Sequence, residues 1–487
     1  MKKITTLLLL ASLILTGVSC GETQTDAPSI DGTTEPESTE PYETELSDDL
    51  ADEDFGEYQF RILSSIRGQA TLNAFPTEEN GDTMNDAYYK RNKKVAERFN
   101  VEFVESTDGD GLDISFIRKD VSAGDDTYDL YQIWDRIAIS SAKEGLIYSI
   151  DNLPDINLSK PYWGAFNESL TINGKQWYVT GDENPVLLTG LVALFFSKDM
   201  ADDLGIGRET FYNDVRDGKW TIDKFFGYAK QALRDVNGNG TVDEGDIFGI
   251  AMTNNTFFVD FFTNSGARFI DKDKDDIPYL SVVGNTRFSD IYDKVIANSY
   301  SDERMLFNTT ITPLSDANGK DNLSQTLMLF GSGHSLFAGT TMSRAGTLRS
   351  YDLDFGIIPF PTCDEKEPGE AYTGRTDSLV PYVIPKTNTD LHRTGVLLEA
   401  LACEGHKSVL PTYYNVVLGA KETRDEDSIE MLNMMFSNRC VELESILFAT
   451  RTIESTMGNK NENFSSVLAS SQSSLEQHIS DLIEELE

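Results

Sequence analysis

Two hydrophobic rhythms alternate along the chain from about residue 56. Tyr58 to Leu63 sets Phe60 and Ile62 on one side of a period-two pattern, which predicts a half-buried strand, and Met84 to Phe99 spaces its apolar residues as a helix does. Val101 to Val104 is β-branched and aromatic, and Tyr128 to Trp134 is a second short apolar run after the polar loop Ser122 to Asp126; both predict strands. Further on, Thr221 can cap a helix in which Ile222, Phe225, Phe226, Ala229, Ala232 and Leu233 share a face. Strands alternating with helices imply βαβ units, hence mostly parallel sheets with helices on both faces and ligands at the carboxyl ends of the strands. No fixed-period repeat of the solenoid kind is present.

The N-terminus follows a different rule. Lys2 and Lys3 precede an apolar run from Leu7 to Leu15, and small residues lead to Cys20. Such a run is too short to span a bilayer and predicts a secretory signal over residues 1–20. Leu15 to Cys20 resembles a bacterial lipobox, with Gly17 where that motif usually carries Leu, which makes Cys20 the lipidation residue; in the competing reading the protein is simply secreted. Residues 21–55 contain thirteen Asp or Glu, three Pro and no Lys or Arg. Like charges repel and little apolar surface is available to offset chain entropy, so an extended acidic tether is expected.

The body is long enough for two domains and has no second apolar run of spanning length. Its chemistry is narrowed by charge: a net −40 disfavours nucleic acid and anionic lipid, both of which are held by Lys and Arg. Beyond Cys20 stand Cys363, Cys403 and Cys440, an odd number with no zinc-like spacing, which reads as small buried thiols.

The order of several phrases carries a resemblance. Asn85-Asp86-Ala87 through Phe99-Asn100-Val101, Tyr128-Asp129-Leu130, Gly145 to Ile150 with Pro161-Tyr162-Trp163, and Gly174 to Val179 come first. They are followed by Leu194 to Asp199, Gly218 to Thr221, Phe330 to Phe337, Phe355 to Pro361 and Val383 to Lys386. In this sequence the chain resembles the family 1 extracellular solute-binding proteins of bacterial ABC importers over residues 56–450. The resemblance implies an α/β fold, periplasmic-binding-protein-like type II, with two lobes, a ligand cleft and hinge crossovers. It places 56–185 and 316–380 in lobe 1, 186–315 and 381–460 in lobe 2, and leaves 461–487 as a tail or surface helix. It also implies a non-enzymatic, monomeric carbohydrate receptor that hands its solute to ABC permease subunits, held outside the cell membrane by its lipid alone. Trp134 would then stack on a sugar while Asp135 and Arg136 take hydroxyls; a structural pairing of Asp135 with Arg136 at a helix start, with Trp134 in the core, fits the residues equally. Thr189 stands where a relative of this kind has a binding carboxylate, and Phe257, His334, Phe337 and Tyr372 are further ligand candidates.

A separate motif reads without the resemblance. Asp235, Asn237, Asn239, Thr241, Asp243 and Asp246 fall at positions 1, 3, 5, 7, 9 and 12 of a calcium-loop pattern with Gly240 at position 6. Similar to the loops of dockerin modules, it ends in Asp instead of Glu, and a structural Ca2+ is expected, against the alternative of an Asn/Gly-rich turn that binds nothing. The run Asp271 to Asp276 lacks the turn Gly and predicts a hairpin tip. Two other functions stay open. A secreted carbohydrate-active hydrolase needs only two carboxylates, although His334, His392, His406 and His478 form no HExxH or nucleophile-elbow motif. A calcium-dependent surface adhesin would use the tether and the loop as well.

Overall fold

The computed structural model describes residues 46–64, 73–107, 113–252, 257–308, 322–377, 379–414, 426–447, 452–460 and 463–486. The signal segment, Cys20 and the tether as far as residue 45 lie outside them. Residues 46–55, read from composition as the end of the tether, are docked: Leu46, Leu50 and Phe55 pack on a core cluster, and Arg98 bridges Asp48 at 2.6 Å and Asp52 at 2.9 Å. Three apolar residues among the acids, with a cation opposite, suffice to hold the strip down.

In chain order the strands are β1 (Tyr58–Ser64), β2 (Val101–Thr107), β3 (Leu130–Gln132), β4 (Ile147–Tyr148), β5 (Val192–Ser197), β6 (Phe248–Met252), β7 (Asp271–Lys272), β8 (Pro278–Tyr279), β9 (Leu306–Asn308), β10 (Ser335–Thr341), β11 (Phe355–Ile358), β12 (Gly374–Arg375), β13 (Tyr382–Pro385) and β14 (Arg439–Cys440). One sheet runs β2-β1-β3-β13-β4 and the other β11-β5-β10-β6-β9; β12 pairs with β14, and β7 with β8 as the expected hairpin.

Local rules place these elements where the sequence predicts them. Phe60 and Ile62 are both fully buried. Asp82 caps the helix Thr83–Phe99 by accepting from the Met84 and Asn85 amides, and Asn100 ends it in a left-handed conformation (φ 51°) that turns the chain directly into β2. Thr221 caps Ile222–Ala232 through the Lys224 amide, as its spacing implies. The buried face of that helix joins Phe196, Phe211, Trp220 and Phe337 in an aromatic core, with Phe225 and Phe337 centroids 4.9 Å apart. Each such ring contributes about 1.5–3 kcal/mol by leaving water.

Each sheet contains a single antiparallel strand between its parallel ones, β13 in the first and β5 in the second. Both are the strands entered directly from a crossover. The crossovers are residues 179–191 and 376–381, joined by the bridges Val179↔Tyr382 and Leu191↔Thr376. A strand entering from the seam must run against strands that end there. The register confirms the geometry: Gln132, at the end of β3, faces Tyr382, at the start of β13, and Thr341, at the end of β10, faces Val192, at the start of β5. The carboxyl ends of β1, β3, β6, β9 and β10 therefore all point toward the crossovers.

This pairing reverses part of the expected lobe assignment. β10 and β11, expected in lobe 1, belong to the second sheet, while β13 and the helix Leu391–Glu404, expected in lobe 2, belong to the first. The helix Glu426–Ser437 lies on β11 and stays in the second lobe. Cys363, Cys403 and Cys440 are free thiols, the last two buried. Among the described residues no helix is long and apolar enough to cross a membrane.

Candidate functional site

The polar residues at the strand ends mark where a ligand can be met. At the end of β1 the Ser64 hydroxyl donates to Gln132 Oε1 (3.0 Å), and Gln132 Nε2 reaches Asn184 Oδ1 at 3.5 Å. Asn184, on the first crossover, donates to the Thr180 hydroxyl (2.9 Å) and to the Val380 carbonyl (2.8 Å) and caps the short helix Pro185–Thr189. One side chain thus ties both crossovers to the edge of the first sheet. Beside it on β2, burial pushes the half-buried Glu105 carboxyl up to about 7 against the pull of the Ser64 hydroxyl.

Trp134 and Arg136 stand at the same edge. Trp134 is the N-terminal cap of the helix Asp135–Lys143, half-buried and without a capping hydrogen bond, and Arg136 is exposed. Asp135 is engaged otherwise: its carboxyl accepts from the Arg136 amide (2.7 Å) and the Leu379 amide (3.4 Å), and it is 6% exposed. It fastens the helix start to the second crossover through these two backbone amides.

In the second lobe the strand ends present Thr341, Ser343 and Arg344, all half-buried, with the Thr341 and Ser343 hydroxyls 2.7 Å apart. Met342 donates its amide to the Leu191 carbonyl, fixing this turn against the first crossover. Sequence patterning passed over these residues and Glu105; Glu105 directly follows the predicted strand Val101 to Val104, whereas no strand is predicted ahead of Thr341, Ser343 and Arg344. The loops following β1, β6 and β9, at 65–72, 253–256 and 309–321, lie outside the described residues.

The other candidates are buried or lie at the far end of the second sheet. Thr189 is buried and donates to the Pro185 carbonyl. Phe257 is 2% exposed at the start of the helix Phe258–Asn264, Phe337 lies in the aromatic core, and Tyr372 is fully buried with the Lys366 ammonium 5.5 Å from its ring centre. Depth is the reason for all four: each lies beneath the surface that their place in the chain suggested. His334 precedes β10 at the end away from the seam, where its Nδ1 meets the Glu244 carbonyl at 2.8 Å. The 235–246 loop leads into the start of β6 at that same remote end. Among the described residues no three His, Cys, Asp or Glu side chains are grouped so as to hold a metal ion.

No family model matches the chain, and no curated protein matches it. Solved structures do. A cyclo/maltodextrin-binding protein complexed with maltotetraose is similar at a TM-score of 0.53 and 15% identity, over 88% of this chain and 96% of that one. The galacto-N-biose/lacto-N-biose I-binding protein of the ABC transporter from Bifidobacterium longum, in complex with lacto-N-biose, is similar at 0.53 and 13%, over 87% and 98%. A sugar transporter from Rhizobium etli in an open conformation gives 0.50 and 13%, over 88% and 98%. The strand order, the paired crossovers and these likenesses establish that the chain has the maltose-binding-protein-like, two-lobed α/β fold of periplasmic binding proteins.

Proposed function

We propose that this protein is the extracytoplasmic carbohydrate receptor of an ABC importer, tethered outside the cell membrane through a lipid on Cys20, and that it captures its solute between the lobes without transforming it. The observation that carries the reading is the convergence of parallel strand ends from both sheets on the paired crossovers. A solute lodged there touches both lobes, so it favours the closed arrangement by its differential affinity for that state. The structural neighbours named above include proteins solved with maltotetraose and with lacto-N-biose, which is why a sugar is the solute proposed. In this reading Trp134 stacks on the apolar side of a pyranose, and Arg136, Glu105, Ser343 and Arg344 supply polar groups for its hydroxyls.

The test is a thermal-shift screen of the chain from residue 21 onward against mono- and oligosaccharides, with peptides and polyols as controls. A saturating sugar at about 100 times its Kd should stabilise the folded form by about 2.7 kcal/mol. The sugar should be recovered unchanged, and Trp134→Ala should weaken binding roughly tenfold, the value of about 1.4 kcal/mol of lost stacking and burial. A shift confined to peptides or polyols would refute the sugar assignment, and turnover of the bound sugar would refute the receptor reading.

A further inference from the structure

The loop between the helix Ile222–Ala232 and β6 is organised around Asp235. Its Oδ1 accepts from the Gly238 amide (2.7 Å) and its Oδ2 from the Gly240 amide (2.9 Å), and both glycines take positive φ, 69° and 74°, which winds the chain back on itself. Asn237 and Asn239 donate their side-chain amides to Asp243 at 2.9 and 2.6 Å. Into this ring reaches Arg304, from the turn before β9. Its Nε lies 2.8 Å from Asp246 Oδ2, its Nη2 donates to the Thr241 carbonyl at 3.2 Å, and the same nitrogen is 3.8 Å from Asp235 Oδ2. The three groups it meets are positions 1, 7 and 12 of the calcium-loop pattern.

Asp246 adds an independent observation. The residue is fully buried, Oδ2 takes the arginine, and Oδ1 has no hydrogen-bond partner. Leaving a buried carboxylate oxygen unmet is costly. A guanidinium approaching along one oxygen cannot satisfy both, whereas a divalent ion is commonly held by a closing carboxylate in bidentate fashion. The carboxylates are not grouped as a ready metal site with Arg304 among them, and the remaining donors would be amide and carbonyl oxygens.

We infer that the 235–246 loop is a divalent-cation site at which the Arg304 guanidinium competes for the ligand oxygens, and that Ca2+ binds by displacing it from Asp246, Thr241 and Asp235. A single positive charge is exchanged for two. The freed arginine has a path to solvent, its side chain being already 17% exposed. Asp235, Asn237, Asn239, the Thr241 carbonyl, Asp243 and Asp246 then offer about the six oxygens that Ca2+ requires. Competition with a tethered cation weakens the site toward the roughly 0.1–1 mM range of extracellular calcium modules. The exchange is felt beyond the loop, because the Arg304 carbonyl accepts from the Gly249 amide of β6 and the Glu244 carbonyl meets His334 beside β10. None of this depends on what the seam binds.

Calorimetric titration of CaCl2 into chelator-treated protein from residue 21 onward tests the inference. One saturable site is expected in the wild type, tightened about tenfold or more in Arg304→Gln, where the competing charge is gone, and lost in Asp246→Asn. Equal or weaker binding by Arg304→Gln, or no saturable binding in either protein, would overturn it. If Arg304→Gln does not fold, Arg304→Lys gives the same readout: it keeps the charge but loses the fork, so tighter binding than wild type supports displacement and unchanged binding refutes it.

Discussion

Arg375 illustrates what a guanidinium requires when it is taken out of water. Only 2% of its side chain is exposed; Nε and Nη2 grip the Asp260 carboxylate at 3.1 and 2.8 Å, and Nη1 reaches Asp377 at 3.0 Å. Asp260 is as deeply buried, and despite the arginine its carboxyl is pushed up to about 6 by burial. Two parallel bonds between planar groups offset desolvation in a way that one bond would not. The pair links the helix Phe258–Asn264 to β12, next to the second crossover, and fastens the chain there. Arg375→Met should therefore cost about 3–5 kcal/mol in urea denaturation, by stranding a buried acid. Pairing it with Asp260→Leu should recover most of that loss; additive losses in the double variant would show that packing, not charge, holds this site.

Elements were far more legible in the sequence than their partners. Period-two and helical spacing located β1, the helix Thr83–Phe99, β2 and the capped helix Ile222–Ala232, because each rule acts within a few residues. Sheet membership escaped, since β10 and β13 are both short apolar runs and only long-range pairing, with β5 and β6 or with β3 and β4, decides which sheet each one joins. For the candidate site, the place of Trp134 and Arg136 directly after a strand is legible in the sequence, whereas the depth of Phe257, Phe337 and Tyr372 is not, because depth is a property of packing that no local pattern encodes. The final helix, Phe464–Leu486, makes the same point. A surface helix by composition, it buries Phe464, Leu475, Ile479, Leu482 and Leu486 along one stripe. It lies against Asp135–Lys143 of the first lobe and Thr286–Ser299 of the second, with Lys143 bridging Glu485 at 2.7 Å. Leu482→Asp should lower the unfolding free energy by about 3–5 kcal/mol, the cavity and desolvation costs together, while Ser474→Asp on the exposed face should leave it within about 0.5 kcal/mol. Equal melting temperatures for wild type and Leu482→Asp would mean that the helix is not part of the cooperative unit.

At the scale of the whole molecule, acidity is divided between a solvated exterior and a few carboxyls shut inside. Burial pushes Glu183 and Glu444 up to about 8 and Glu442 up to about 7. Each stays protonated in the folded protein well above the pH at which the unfolded chain releases its proton. From about pH 4.5 to 8 the unfolded chain therefore binds fewer protons than the folded one, and stability falls as pH rises through that window. Surface acids act the other way: hydrogen bonds hold Asp113, Asp202 and Asp273 below the usual carboxylate range, and their contribution is lost as pH falls beneath about 4. The net charge of −40 adds self-repulsion as ionisation completes. Stability should accordingly peak near pH 4.5–5, with the urea midpoint declining toward pH 8. Glu183 isolates the burial component, because Oε1 accepts the Gly181 amide while Oε2 has no hydrogen-bond partner. Glu183→Gln mimics the protonated acid, so it should match wild type near pH 4.5. At pH 8 and above it should exceed wild type by on the order of 4 kcal/mol, at about 1.4 kcal/mol for each pH unit by which the folded carboxyl is raised. High salt should reduce the repulsive part of the decline and leave the difference between the two proteins in place, since a buried carboxyl is screened little. Parallel pH profiles for wild type and Glu183→Gln would mean that Glu183 ionises without cost, and that the interior around the first crossover is wetter than its packing implies.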